Sequence, residues 1–73
     1  MMKKVFVFKT SICKRKEIKT VQPYLNKLIR KNGSWNFDLE DCDCILRVES
    51  HEVIPASICS IIEQQGFECV ELN

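Results

Sequence analysis

Residues 35–50 read WNFDLEDCDCILRVES, and the fold turns on how this stretch is taken. Trp35, Phe37 and Leu39 alternate with Ser34, Asn36 and Asp38, the two-residue period of a strand with one apolar face. LEDCDC is a polar turn. Cys44, Leu46 and Val48 then alternate with Ile45, Arg47 and Glu49 as a further strand. Two alternating runs joined by a short polar turn predict a β-hairpin.

Ahead of the hairpin, Ile18, Val21, Leu25, Leu28 and Ile29 fall at helical spacing and define one stripe. Asn32 and Gly33 end it, with glycine as the expected left-handed terminator. Pro23 leaves two possibilities open. Either it kinks a helix that begins near Lys14, or the regular helix starts later, with Thr20 as N-cap and Pro23 in the first turn. Before this helix, residues 5–8 form a β-branched and aromatic run. Phe6 and Phe8 lie on one face, Val5 and Val7 on the other. Two apolar faces suit a central strand.

Behind the hairpin, Pro55 suits a first helical position. Ile54, Ile58, Ile61 and Ile62 form an apolar stripe, and Gly66 caps its end. Residues 67–72 make a short last strand. The order is βαββαβ. Right-handed crossovers turn it into an α+β fold of ferredoxin-like type: a four-stranded antiparallel sheet with two helices on one face. The uncovered face would show Val5 and Val7, a small patch for weak self-association. The turns at residues 10–16, 39–43 and 65–67 would share one end of the sheet.

The 73 residues make one domain, residues 1–73, with 45% apolar and 29% charged residues. A chain of this size buries about 60% of its unfolded surface. Lys3 and Lys4 precede only four apolar residues, too few for the roughly 7–15 of an export signal. No run approaches the roughly 18 residues of a membrane span. The expectation is a cytoplasmic protein that uses no membrane.

Cys13, Cys42, Cys44, Cys59 and Cys69 are an odd set of five. With a reducing compartment expected, that count argues against a closed disulfide framework and for most of the five being free thiols. Each can also serve as a small buried apolar residue. Charge is polarised. Residues 1–31 hold ten of the 11 cations with Glu17 alone against them; residues 32–73 hold Arg47 against the other nine acids. The two halves can neutralise each other within one fold, or offer a charged surface to a partner.

FKTSI at residues 8–12, VQPYL at 21–25, the hairpin WNFDLEDCDCILRVES and IIEQQGFECVEL at 61–72 together resemble the heavy-metal-associated domains, the family of small copper chaperones and of the amino-terminal modules of metal-pumping ATPases. The likeness spans nearly the whole chain. The resemblance implies a metal-binding C-x-x-C in the first turn. Anchored on Phe8, Lys9, Thr10 and Ile18, those two cysteines fall on Lys14 and Glu17, with Ile12 and Cys13 at the family's methionine and threonine positions. Shifted by one, Cys13 becomes the first ligand and Lys16 stands where the second should be. Neither register restores the motif. Two thiolates from one turn suit Cu(I), a soft ion. Lysine at neutral pH brings positive charge instead, and Lys14, Arg15 and Lys16 at a helix start also oppose its dipole.

Three readings stay open. In the first, the fold persists without the metal and works through contacts with another protein. In the second, the metal site has moved: Cys13 would meet Cys42 in the hairpin tip and Cys44 just below it, or a second subunit, to hold Cu(I) or Zn(II), with a metal transporter as partner. In the third, Lys14, Arg15 and Lys16 at the helix start bind an anion or acidic partner. No aromatic residue interleaves with these cations, which argues against nucleic acid. His51, the only histidine, is expected far from Cys13, so no Cys–His pair forms. Gly33 and Gly66 read as helix ends and no phosphate loop exists. The expectation is a non-enzymatic binding protein.

Overall fold

A computed structural model describes residues 4–29, 33–38, 44–51 and 55–72. Its elements run β1 (Lys4–Thr10), α1 (Arg15–Ile29), β2 (Ser34–Asp38), β3 (Ile45–Ser50), α2 (Pro55–Gln64) and β4 (Cys69–Leu72). The strands form one antiparallel sheet in the order β2-β3-β1-β4. This is the ferredoxin-like α+β arrangement that the alternation in the hairpin and the apolar run of β1 predict. No helix among the described residues is long and apolar enough to cross a membrane.

Phe8 stands opposite Leu46 on β3, and Phe6 opposite Val48. On the same face, Phe8, Leu46, Val48 and Phe37 pack against Val21, Leu25 and Ile29 of α1 and Ile58 and Ile62 of α2. Burying a side chain of this kind contributes about 1.5–3 kcal/mol, so these residues hold both helices on the sheet. Trp35 adds a tie from β2 to α1, its indole N–H donating to Asn26 Oδ1 at 2.9 Å. On the other face Val5 is 57% exposed and Val7 partly buried. Val7 pairs with Leu72, and Lys9 with Val70. The open patch therefore continues onto β4, beyond the two valines expected.

Helix α1 runs unbroken through Pro23. Thr20 is not an N-cap: its hydroxyl donates back to the Lys16 carbonyl at 3.2 Å, inside the helix. The proline is tolerated because it lies on the exposed side, while Val21 and Leu25 keep the buried stripe.

The two glycines serve different needs. Gly66 adopts φ 90°, and the amides of Gly66 and Phe67 return to Glu63 and Ile62 of α2, a left-handed helix ending as expected. At Gly33 the requirement seen in the structure is of another kind. It is one of space. A Cβ there would lie 2.6 Å from the Glu49 carbonyl oxygen and 2.7 Å from Ile29 Cγ2. Residues 30–32 and 39–43, with Asn32, Leu39 and Cys42 among them, lie outside the described residues, as does Ile54.

Candidate functional site

Thr10, the last residue of β1, organises the loop end of the sheet. Its hydroxyl donates to the Cys44 carbonyl at 2.8 Å and accepts the Ile12 amide at 3.1 Å. Its own amide also donates to the Cys44 carbonyl at 3.3 Å. Ser11 ties the same loop to the residue before β4. Its amide donates to the Glu68 carbonyl at 3.1 Å, and its hydroxyl accepts the Glu68 amide at 2.8 Å. Ile12, at the position that the resemblance assigns to methionine, is fully buried in the core. The turns at 10–16 and 65–67 thus meet at one end, as the topology predicts.

Between these anchors Cys13 reaches over the start of β3 and is joined to Cys44 by a disulfide, with the two Cα atoms 5.1 Å apart. That separation lies inside the roughly 4.4–6.8 Å that a disulfide spans. The expectation of free thiols fails here for Cys13 and Cys44. An odd cysteine count says nothing of which two residues a crossover will bring together, and 31 positions separate this pair in sequence. Cys13 is exposed and Cys44 buried. Cys44 takes φ 53°, a left-handed conformation that costs a residue other than glycine about 1–2 kcal/mol. The two hydrogen bonds from Thr10 and the link to Cys13 hold it there.

The three cations lie just beyond. Lys14, Arg15 and Lys16 are exposed where α1 begins. The Lys14 carbonyl accepts the amides of Glu17 and Ile18 at 3.0 and 3.1 Å, which makes Lys14 the N-cap residue. Glu17 folds back over this turn. Its Oε1 accepts the amides of Cys13 at 3.0 Å and Lys14 at 3.2 Å. This is the return half of a capping box, and a carboxylate in the first turn also suits the helix dipole. Glu17 therefore partly offsets the dipole conflict that the three cations create. Lys14 and Glu17 are the residues that the first register of the resemblance sets at the two ligand positions. One is a cation and the other is committed to backbone amides. Neither offers a soft sulfur.

Cys59 and Cys69 are free thiols. Both belong to the core, as expected: Cys69 is buried at the start of β4 and Cys59 packs against the cluster from α2. Burial pushes the Cys69 thiol far above the usual thiol range, and the neighbouring Cys59 and the negative charge of Glu63 add to it. Thr10 stands opposite Cys69 on one side and bonds Cys44 on the other, so it separates the two cysteine pairs. His51 is exposed just after β3, at the far end of the strand from Cys44.

The second reading of the sequence is answered in part. Cys13 and Cys44 do meet; Cys42, the third suggested ligand, lies outside the described residues. Among the described residues no group of three or more histidine, cysteine, aspartate and glutamate side chains is gathered to hold a metal. The acids Glu40, Asp41 and Asp43, which could screen the three cations, also lie outside. Sequence reasoning missed Thr10 and Glu17. Glu17 carried a usable signal: a glutamate three residues after a loop residue at a helix start. Thr10 carried none, because its partner Cys44 is 34 positions away.

Compared with family models, with curated proteins and with solved structures, the chain matches none.

Proposed function

We propose that this chain is a non-enzymatic, cytoplasmic binding module of heavy-metal-associated type whose first loop has exchanged metal binding for protein contact. The observation that carries the reading is Glu17. At a ligand position of the family motif its carboxylate accepts two backbone amides, a role that locks the turn without a metal. The loop then presents Lys14, Arg15 and Lys16 outward, a surface suited to an acidic protein partner. Exposed charges of this kind act within a Debye length of roughly 8–10 Å and weaken with salt. Reversing all three to glutamate should abolish partner capture, and capture by the unaltered protein should fall as salt rises. Binding that survives both changes sinks this reading.

A second reading rests on the approach of Cys13 to Cys44. Once reduced, the two thiols are close enough to converge on a soft ion, Cu(I) before Zn(II) by ligand softness. A metal transporter or a second copy of the chain would then be the natural partner. A Cu(I) competition titration of the reduced protein against a chromogenic chelator separates the readings. One equivalent retained per monomer or per dimer, and lost in Cys13→Ser, supports a relocated metal site. No retention above the chelator supports metal-independent contact.

A further inference from the structure

We infer that Cys13 and Cys44 form a reversible thiol–disulfide exchange site whose exchange partner is an anionic small-molecule disulfide or its thiol, of which glutathione is the probe. The inference goes beyond the binding role and stands whether or not that role holds.

Three observations carry it. The bond is accessible from one side only: Cys13 is exposed while Cys44 is buried, 7% exposed. An incoming thiolate is therefore directed to Cys13 rather than to Cys44. Contacts other than the bond also hold this geometry. Thr10 fixes the Cys44 carbonyl through two hydrogen bonds, Ile12 next to Cys13 is buried in the core, and Glu17 fixes the Cys13 amide. Breaking the bond leaves both sulfurs placed to re-form it. Finally, Cys13 stands directly before a helix start bearing Lys14, Arg15 and Lys16. Cations and a helix N-terminus favour the attacking thiolate form of a cysteine, and they raise the local concentration of an anionic reagent.

In the reducing direction an external thiolate attacks Cys13 Sγ. A mixed disulfide forms, the Cys13–Cys44 bond breaks, and Cys44 leaves as a thiolate that takes up a proton. A second external thiolate attacks the external sulfur of the mixed disulfide and releases Cys13. Two electrons pass to the protein, and two small thiols become one disulfide. Oxidation runs the same steps backward, with Cys44 resolving the mixed disulfide on Cys13.

The test is alkylation followed by mass spectrometry after equilibration in glutathione buffers of graded ratio. Cys42→Ser serves beside the unaltered protein, because Cys42 and Cys44 share one tryptic peptide. The expected result is an intramolecular Cys13–Cys44 link in both proteins, opening and closing as a single two-electron couple. Oxidation by oxidised glutathione should outpace that by cystamine, a cationic disulfide, by about tenfold at low salt, with the gap closing at high salt. The inference is overturned if both cysteines stay alkylatable in folded protein at every ratio, if the link disappears in Cys42→Ser or joins two chains, or if the anionic and cationic disulfides react equally fast. None of these readouts involves a protein partner or a metal, so failure of the binding role leaves them unchanged.

Discussion

Two cysteine pairs lie near the same end of the sheet, with Thr10 between them, and they have opposite fates. Cys13 and Cys44 are joined, one residue of the pair exposed and the other buried. Cys59 and Cys69 remain thiols within the core cluster. Composition treats all four alike. The difference comes from neighbours. A helix start and three cations follow Cys13 in the first pair; burial, Cys59 and the acid Glu63 act on Cys69 in the second, and they hold its proton in place. Thiol chemistry is thus set by what the fold places around the sulfur.

The largest test of that contrast is stability with and without reductant. Closing a loop across 31 positions removes enough freedom from the unfolded chain to contribute about 3–4 kcal/mol. Urea titrations should show the oxidised protein losing most of that on reduction, while Cys13→Ser is indifferent to reductant. A variant that still responds would place the stabilising link elsewhere.

Next comes substitution under reducing conditions. Cys69→Ser sets a hydroxyl in an apolar site and should lower stability by about 1–3 kcal/mol, whereas Cys13→Ser, on the surface, should stay within about 0.5 kcal/mol. Equal losses would erase the distinction between the pairs.

A pH series sharpens it further. The folded state keeps Cys69 protonated well above the range where the unfolded chain ionises a thiol, near 8.5. Its contribution is therefore fully present below about pH 8.5 and lost as pH rises beyond that, by up to about 1.4 kcal/mol per pH unit. Denaturation midpoints in reductant should fall across this range in the unaltered protein and fall less in Cys69→Ala.

The smallest effect is at Cys44. Its left-handed backbone suits glycine, so in reductant Cys44→Gly should be more stable than Cys44→Ala by about 1 kcal/mol. The reverse order would mean that φ is not a source of strain here.

The same contrast marks what the sequence made legible. Strand alternation at Leu46 and Val48 and the helical stripe at Val21, Leu25 and Ile29 depend on neighbours one to four positions apart, and each reappears in the core. Pro55 and Gly66 are equally local signals, and both hold. The site depends on contacts between distant positions. Thr10 reaching Cys44, Ser11 reaching Glu68 and the Cys13–Cys44 bond join residues that periodicity cannot relate. Glu17 is intermediate. Its position in the first turn was readable, but its carboxylate was free to face solvent or the loop until the turn closed around it.

The glycines carry a last consequence, in the currency of mutational tolerance. At position 66 a side chain would meet nothing within 4 Å and only the backbone angle objects, so asparagine and aspartate, which visit that region most readily, should be accepted there with little loss of folded protein. At position 33 the obstruction is the backbone of Glu49 itself, which no rotamer can move aside. A saturation library sorted for folded protein would therefore leave position 66 with a short list of polar survivors and position 33 with glycine alone. The two residues look identical in one chain and would look unlike in a thousand.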